Sequence, residues 1–250
     1  MRNKLIGTGI AILVLVLMAS LGCTAGMLTA ADILDRMESA AEGIEDLNAL
    51  ISVQTYKDGA VSLTQQMRLT LKQPDSMRLE YLEPEYLAGN VTLIVGEKMW
   101  MYIAAIDKWF EKDLAELSSA EQPWLMFRNI LHGVSSMLDD YTFTRVEDEG
   151  DTYHIHGLPA SDAAVYGKID LWVDPDAFLP LRRILYDVDG NLLVDARFLD
   201  ATAVSGVTLP LRIETYNGSG ELVNVISYVK VAVNEGVPDD TFASPEGSGD

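Results

Sequence analysis

The chain has 250 residues, 48% hydrophobic and 22% charged, a balance that suits a packed globular body and excludes a disordered one. Its 38 acidic residues outnumber 18 basic ones for a net charge of −20, so nucleic acid is excluded as a partner and an anionic bilayer would repel the folded body. The lone Cys23 can build neither an intramolecular disulfide nor a thiolate metal cluster.

The chain opens Met1-Arg2-Asn3-Lys4, and an apolar run from Leu5 to Leu21 follows, with no charge before Asp32. A short basic flank before such a run is an export signal. Residues 1–22 therefore read as a signal peptide or an N-terminal membrane anchor, near the lower length limit for a spanning helix. Ser20-Leu21-Gly22-Cys23 resembles the lipobox of exported lipoproteins, in which the Cys is lipidated; Ser20 stands where a Leu-like residue is usual. Lipidation of Cys23, an uncleaved anchor and plain cleavage all stay open; each predicts an extracytoplasmic location, and the first two predict a membrane-anchored one. Residues 23–30 read as an uncharged tether, 31–245 as one folded domain and 246–250 as a disordered tail.

Asp32 to about Leu50 reads as an amphipathic helix, with Ile33, Met37, Ala40, Ile44 and Leu47 at helical spacing and Asp32 as N-cap. From Ile51 the period falls to two. Met67, Leu69 and Leu71 alternate with polar residues, as do Met77, Leu79 and Tyr81, and Ile169, Leu171 and Val173. Val223, Val225, Val229, Val231 and Val233 read as one face of the last long strand. Lys57-Asp58-Gly59, Asp189-Gly190-Asn191 and Asn217-Gly218-Ser219 supply turn signals. The pattern predicts a mainly β (α+β) fold with about eleven antiparallel strands. A second helix, with Pro123 in its first turn and a wide apolar side, is expected over residues 121–138.

A long antiparallel sheet must curl, split or close. Two helices fill its concave side less densely than a second sheet would, so an apolar cavity is expected between them. Strand parity and the central helix face assign Met67, Leu69, Met77, Leu79, Leu93, Met101, Leu125, Ile130 and Leu131 to its lining. Trp100, Tyr102, Trp109, Trp124, Phe127 and Trp172 either line that cavity or pack in the core and rim.

Reactive chemistry is sparse. His154 and His156 share one face of a strand, with Asp151 the nearest carboxylate before them, and read as a solvated pair rather than a metal site. His132 with Ser135 or Ser136 is the sequence-local candidate for a nucleophile and base. Gly-x-Ser-x-Gly, P-loop, His-Glu-x-x-His and dinucleotide motifs are all missing from the sequence. Neither a cofactor, a metal nor an enzymatic activity is expected.

Three segments carry a resemblance. They are Pro74-Asp75-Ser76-Met77-Arg78-Leu79-Glu80-Tyr81-Leu82-Glu83-Pro84; Leu87 to Tyr102; and the closing set Leu179-Pro180-Leu181-Arg182, Asp187-Val188-Asp189-Gly190 and Val233 to Phe242. In order and spacing the chain resembles the LolA-like superfamily of outer-membrane lipoprotein-sorting proteins, with the LolB, LppX/LprG and RseB-type groups related. The resemblance covers residues 31–245. It implies an unclosed β-barrel whose helices lid a hydrophobic cavity for acyl chains. It also implies a lid-related place for Arg78, although parity turns that side chain away from Met77 and Leu79. The expected function is a membrane-anchored carrier of lipid or lipoprotein in the cell envelope. An RseB-type sensor with an envelope protein partner is the alternative, and a lipid-directed hydrolase stands behind it.

Overall fold

The computed structural model describes residues 27–116, 140–146, 151–161 and 164–244. The expected helix over 121–138, the acidic turn at 147–150 and everything before Met27, Cys23 included, lie outside the described residues.

Among the described residues one α-helix, α1 (Ala30–Glu42), precedes thirteen strands. In chain order they are β1 (Asp46–Lys57), β2 (Ala60–Lys72), β3 (Ser76–Glu83), β4 (Val91–Val95), β5 (Lys98–Ile103), β6 (Lys108–Asp113), β7 (Tyr141–Arg145), β8 (Tyr153–Pro159), β9 (Lys168–Val173), β10 (Pro180–Tyr186), β11 (Leu192–Val204), β12 (Val207–Asn217) and β13 (Leu222–Val233). All belong to one antiparallel sheet of order β6-β5-β4-β3-β2-β1-β13-β12-β11-β10-β9-β8-β7. The sheet is unclosed: β6 and β7, consecutive in sequence, are its two edges. Thirteen strands replace the expected eleven. The edges explain the shortfall, because Lys108–Asp113 alternates no clean apolar face and Tyr141–Arg145 is only five residues long.

The first helix is shorter than its periodicity predicts. Its N-cap is Thr29, whose Oγ1 accepts the Asp32 N–H at 3.2 Å while the Asp32 carboxylate accepts the Thr29 N–H at 2.8 Å, a capping box. Asp32 thus sits three residues inside the cap. The helix ends at Glu42, and Leu47 belongs to β1, where it pairs with Leu71 and Val233. Leu47 fits both a helical and an alternating period; the stop at Gly43 is what separates them.

Register assigns every strand residue a face. Leu47, Ala49, Ile51 and Val53 of β1 sit opposite Leu71, Leu69, Met67 and Gln65 of β2, and Leu69 and Leu71 face Leu79 and Met77 of β3. This inner face carries the main core, extended by Ile94, Met99, Leu209, Ile226 and Val233. On its far half α1 buries Ile33, Leu34 and Met37 against Ile155, Leu171 and Val173, as expected for a helix covering one side of a sheet. Tight hairpins hold the register. Asp58 and Gly59 take φ of 53° and 75° between β1 and β2, matching the Asp-Gly signal, and Ser205 and Gly206 repeat the geometry between β11 and β12.

The last strand departs from its sequence pattern. A bulge opposite Leu50 and Ile51 leaves Val229 unpaired and 59% exposed. Asn224, Ile226 and Tyr228 hold the inner face before the bulge, and Val231 and Val233 hold it after. Val225, paired with Gln54 and Glu214, faces outward. The single valine face is therefore two half-faces joined by a one-residue slip.

Candidate functional site

The inner face is not uniformly packed. At its β1–β5 end Met67, Leu69, Met77 and Leu79 are fully buried. Met101 shares their face through its pairing with Thr92, and is half-buried. Toward β11–β13 the apolar surface stays partly open: Val204, Val207, Leu211, Ile213, Tyr228 and Val231 pack against the core but are only half-buried. These six side chains form a strip along the inner face. Sequence reasoning missed the strip because β12 alternates apolar with mixed residues and β13 changes parity at its bulge.

Leu93 is not part of this wall. It pairs with Arg78 and Trp100, which places it on the outer face, where it packs with Trp100, Val237 and Phe242. Leu93 and Ile94 are both fully buried, because Val237 and Phe242 cover this patch of the outer side; β4 is apolar on both faces and its sequence offers no parity signal. Leu125, Ile130 and Leu131 lie outside the described residues, as do His132, Ser135, Ser136, Trp124 and Phe127. Arg78 lies on the outer face between Thr70 and Leu93, and Glu80 is bound instead by Arg68 at 2.9 Å.

The remaining aromatics also face outward. Trp100 donates its Nε1–H to Glu111 at 2.9 Å, Tyr102 lies 5.1 Å from Trp109, and Trp172 stacks on His154 at 4.2 Å. They belong to an outer layer that is polar rather than lipid-like. In it His156 Nδ1 lies 2.8 Å and Lys168 Nζ 2.9 Å from the Asp170 carboxylate. Burial would raise the Asp170 pKa, but hydrogen bonds from Lys168 and His156 outweigh it and hold it below the usual aspartate value. The histidine side chains are 13% and 27% exposed, so they are not the solvated pair the sequence suggests. Among the described residues no group of three His, Cys, Asp or Glu could hold a metal.

On the inner face the charge pattern inverts. Every carboxylate on a strand with a cross-strand partner, from Asp46 and Glu80 to Asp170, Asp195 and Glu214, points outward. Arg183 points inward, in register with Leu171 and Ala196. Its neighbour Arg182 takes the outer face and forms a two-pronged pair with Asp195, both contacts at 2.8 Å. Two consecutive arginines on a strand must face opposite ways, and that was the signal in Leu181-Arg182-Arg183-Ile184. Burial pushes the Arg183 guanidinium below its usual pKa, and pushes the Tyr228 hydroxyl above its own.

A family model described as "-like: Uncharacterized protein" matches residues 74–246. No curated protein matches the sequence. Among solved structures, a candidate outer-membrane lipoprotein-sorting protein domain from Vibrio parahaemolyticus is 19% identical, with a TM-score of 0.65 over 84% of this chain and 94% of its own. A DUF1329 family protein from Desulfovibrio piger is 18% identical, with a TM-score of 0.68 over 85% and 95%. A LolA superfamily protein from Nitrosomonas europaea is 20% identical, with a TM-score of 0.64 over 87% and 99%.

Proposed function

The chain belongs to the family of that model and has the LolA-like fold, and on this premise we propose that it is a non-enzymatic carrier that holds acyl chains of a lipid or lipoprotein against the inner face of its sheet. The half-open apolar strip on β11–β13 carries the reading. A packed interior would seal those side chains; here they remain accessible inside an unclosed sheet. Each methylene transferred onto such a strip gains about 0.8 kcal/mol, so two acyl chains can be held without covalent chemistry. Leu125, Ile130 and Leu131 are proposed to complete the lining from the connection between β6 and β7, whose ends lie at opposite edges of the sheet.

The N-terminal features support residence at the outer side of a membrane, through Cys23 lipidation or a retained apolar anchor at residues 1–22. No helix among the described residues is long and apolar enough to cross a membrane. A tethered carrier would receive or present its cargo at one membrane surface within the cell envelope. Native mass spectrometry of the full chain extracted from membranes tests both halves. The expected spectrum shows a diacylglyceryl-type mass on Cys23 or an intact residue 1–22 segment, together with a non-covalent lipid adduct. A bare protein that also takes up no added fatty acid would overturn the carrier reading.

A further inference from the structure

We propose that Arg183 is the headgroup anchor beside this strip, and that the ligand is an anionic amphiphile whose carboxylate or phosphate meets the guanidinium while its chain lies on the β11–β13 strip. The inference rests on the acyl-chain reading above and deepens it by naming the charge of the cargo.

Arg183 stands in one transverse row of the inner face, running Leu171, Arg183, Ala196, Thr215, Asn224 from β9 to β13. Among the described residues it makes no ion pair and no hydrogen bond. Its Nε is sealed from solvent without a partner, while the residue as a whole is half-buried, so the Nη end is the part left open. The enclosure around it is deep, and only the Tyr166 side chain adds a favourable field. Four other strand arginines are matched by carboxylates, Arg68 with Glu80, Arg182 and Arg197 with Asp195, and Arg212 with Glu214, while Arg78 lies on the outer face. An enclosed cation without a counter-ion is costly, and the surroundings make the omission specific. A chain of net charge −20 keeps its registered strand carboxylates on the opposite face.

The row also supplies recognition. The Asn224 Oδ1 is buried with no hydrogen-bond partner, so an amide at this site is left to be satisfied by a ligand hydroxyl or a protonated acid oxygen. Thr215 adds a hydroxyl between the two, and Ala196 beside Arg183 is small enough to leave the guanidinium room to lie over it. Ile213, paired with Ile226, begins the apolar strip in the next row, and Tyr228 follows on β13. A planar fork next to a hydrocarbon surface fits a carboxylate or phosphodiester at the end of an acyl chain. It does not fit a neutral glyceride, which would leave the charge unpaired.

The test uses the full chain in phosphatidylcholine vesicles with two photoactivatable probes of one chain length, a fatty acid and the matching fatty alcohol, at about pH 8.5, where the acid is ionised. Labelling of the peptides of β10–β13 is read by mass spectrometry. Wild type is expected to favour the acid by about tenfold, the loss set by a charge-assisted hydrogen bond. Arg183→Met should bring the two probes to parity with the alcohol unchanged, and Arg183→Lys should keep part of the preference. Added phosphatidylglycerol or oleate should compete, each identifying its own headgroup class. Equal labelling by acid and alcohol in wild type overturns the headgroup anchor while leaving the acyl-chain reading intact. Competition by millimolar inorganic phosphate alone overturns the amphiphile. No labelling of these strands by either probe overturns both. If Arg183→Met fails to fold, the acid-to-alcohol ratio of wild type still decides.

Discussion

Asp195 shows how a single residue settles which way its neighbours point. It is 5% exposed, accepts two contacts from Arg182 and one from Arg197 at 3.2 Å, and draws Arg182 to the outer face. Arg183 is thereby turned inward. Burial would raise the Asp195 pKa, but the arginine hydrogen bonds prevail and hold it below the ordinary aspartate value. A depressed folded-state pKa adds stability that is fully present above the unfolded-state value of about 3.9 and is lost as pH falls through the folded one. Asp195→Asn is therefore expected to cost about 2 kcal/mol at neutral pH, discounted because both arginines are partly exposed. In urea titrations the gap to wild type should close on acidification below about pH 4; a gap independent of pH would show that the pair contributes through packing alone. The same carboxylate illustrates what residue types reveal: Arg182-Arg183 is readable as one inward and one outward cation, yet nothing in the sequence says which.

At the scale of elements, boundaries depend on side chains far apart in sequence. Asn234, with φ of 58°, accepts the Glu45 and Asp46 N–H groups at 2.8 and 3.3 Å and donates to the Gly43 carbonyl at 2.8 Å. It therefore joins the turn after α1 to the end of β13. No local pattern around Leu47 could disclose this, which is why helical periodicity runs on past Gly43 in the sequence but not in the structure. Asn234→Ala should lose about 2 kcal/mol, from three hydrogen bonds and a strained left-handed backbone, measured by chemical denaturation. Thr29→Ala, which removes half of the capping box, should lose about 1 kcal/mol and leave the sheet's circular dichroism unchanged. The bulge at Val229 is the second long-range effect: alternation was legible on both sides of it, but the slip that reverses the parity was not. β4 is the third, where a strand apolar on both faces gave Leu93 no orientation.

The whole molecule follows from thirteen strands in one open sheet with β1 paired to β13 at its centre. Antiparallel class, the apolar inner faces of β2, β3 and β9, and the position of the first helix were all legible, because each is a local pattern of period two or 3.6. The open strip was not, since openness is a property of what covers a residue and not of the residue. The contrast between the two ends of the inner face gives a direct prediction. Leu69→Trp, in the fully buried end, should destabilise the fold by about 2 kcal/mol through overpacking. Ile213→Trp, on the half-buried strip, should change stability by less than about 0.5 kcal/mol. The most direct measurement of the central claim is uptake of a fluorescent fatty acid by the delipidated full chain, for wild type and Ile213→Trp together. The account predicts saturable uptake by wild type and a several-fold weaker signal from the variant at an unchanged melting temperature. Absent uptake by wild type, or equal uptake by a folded Ile213→Trp, would contradict it.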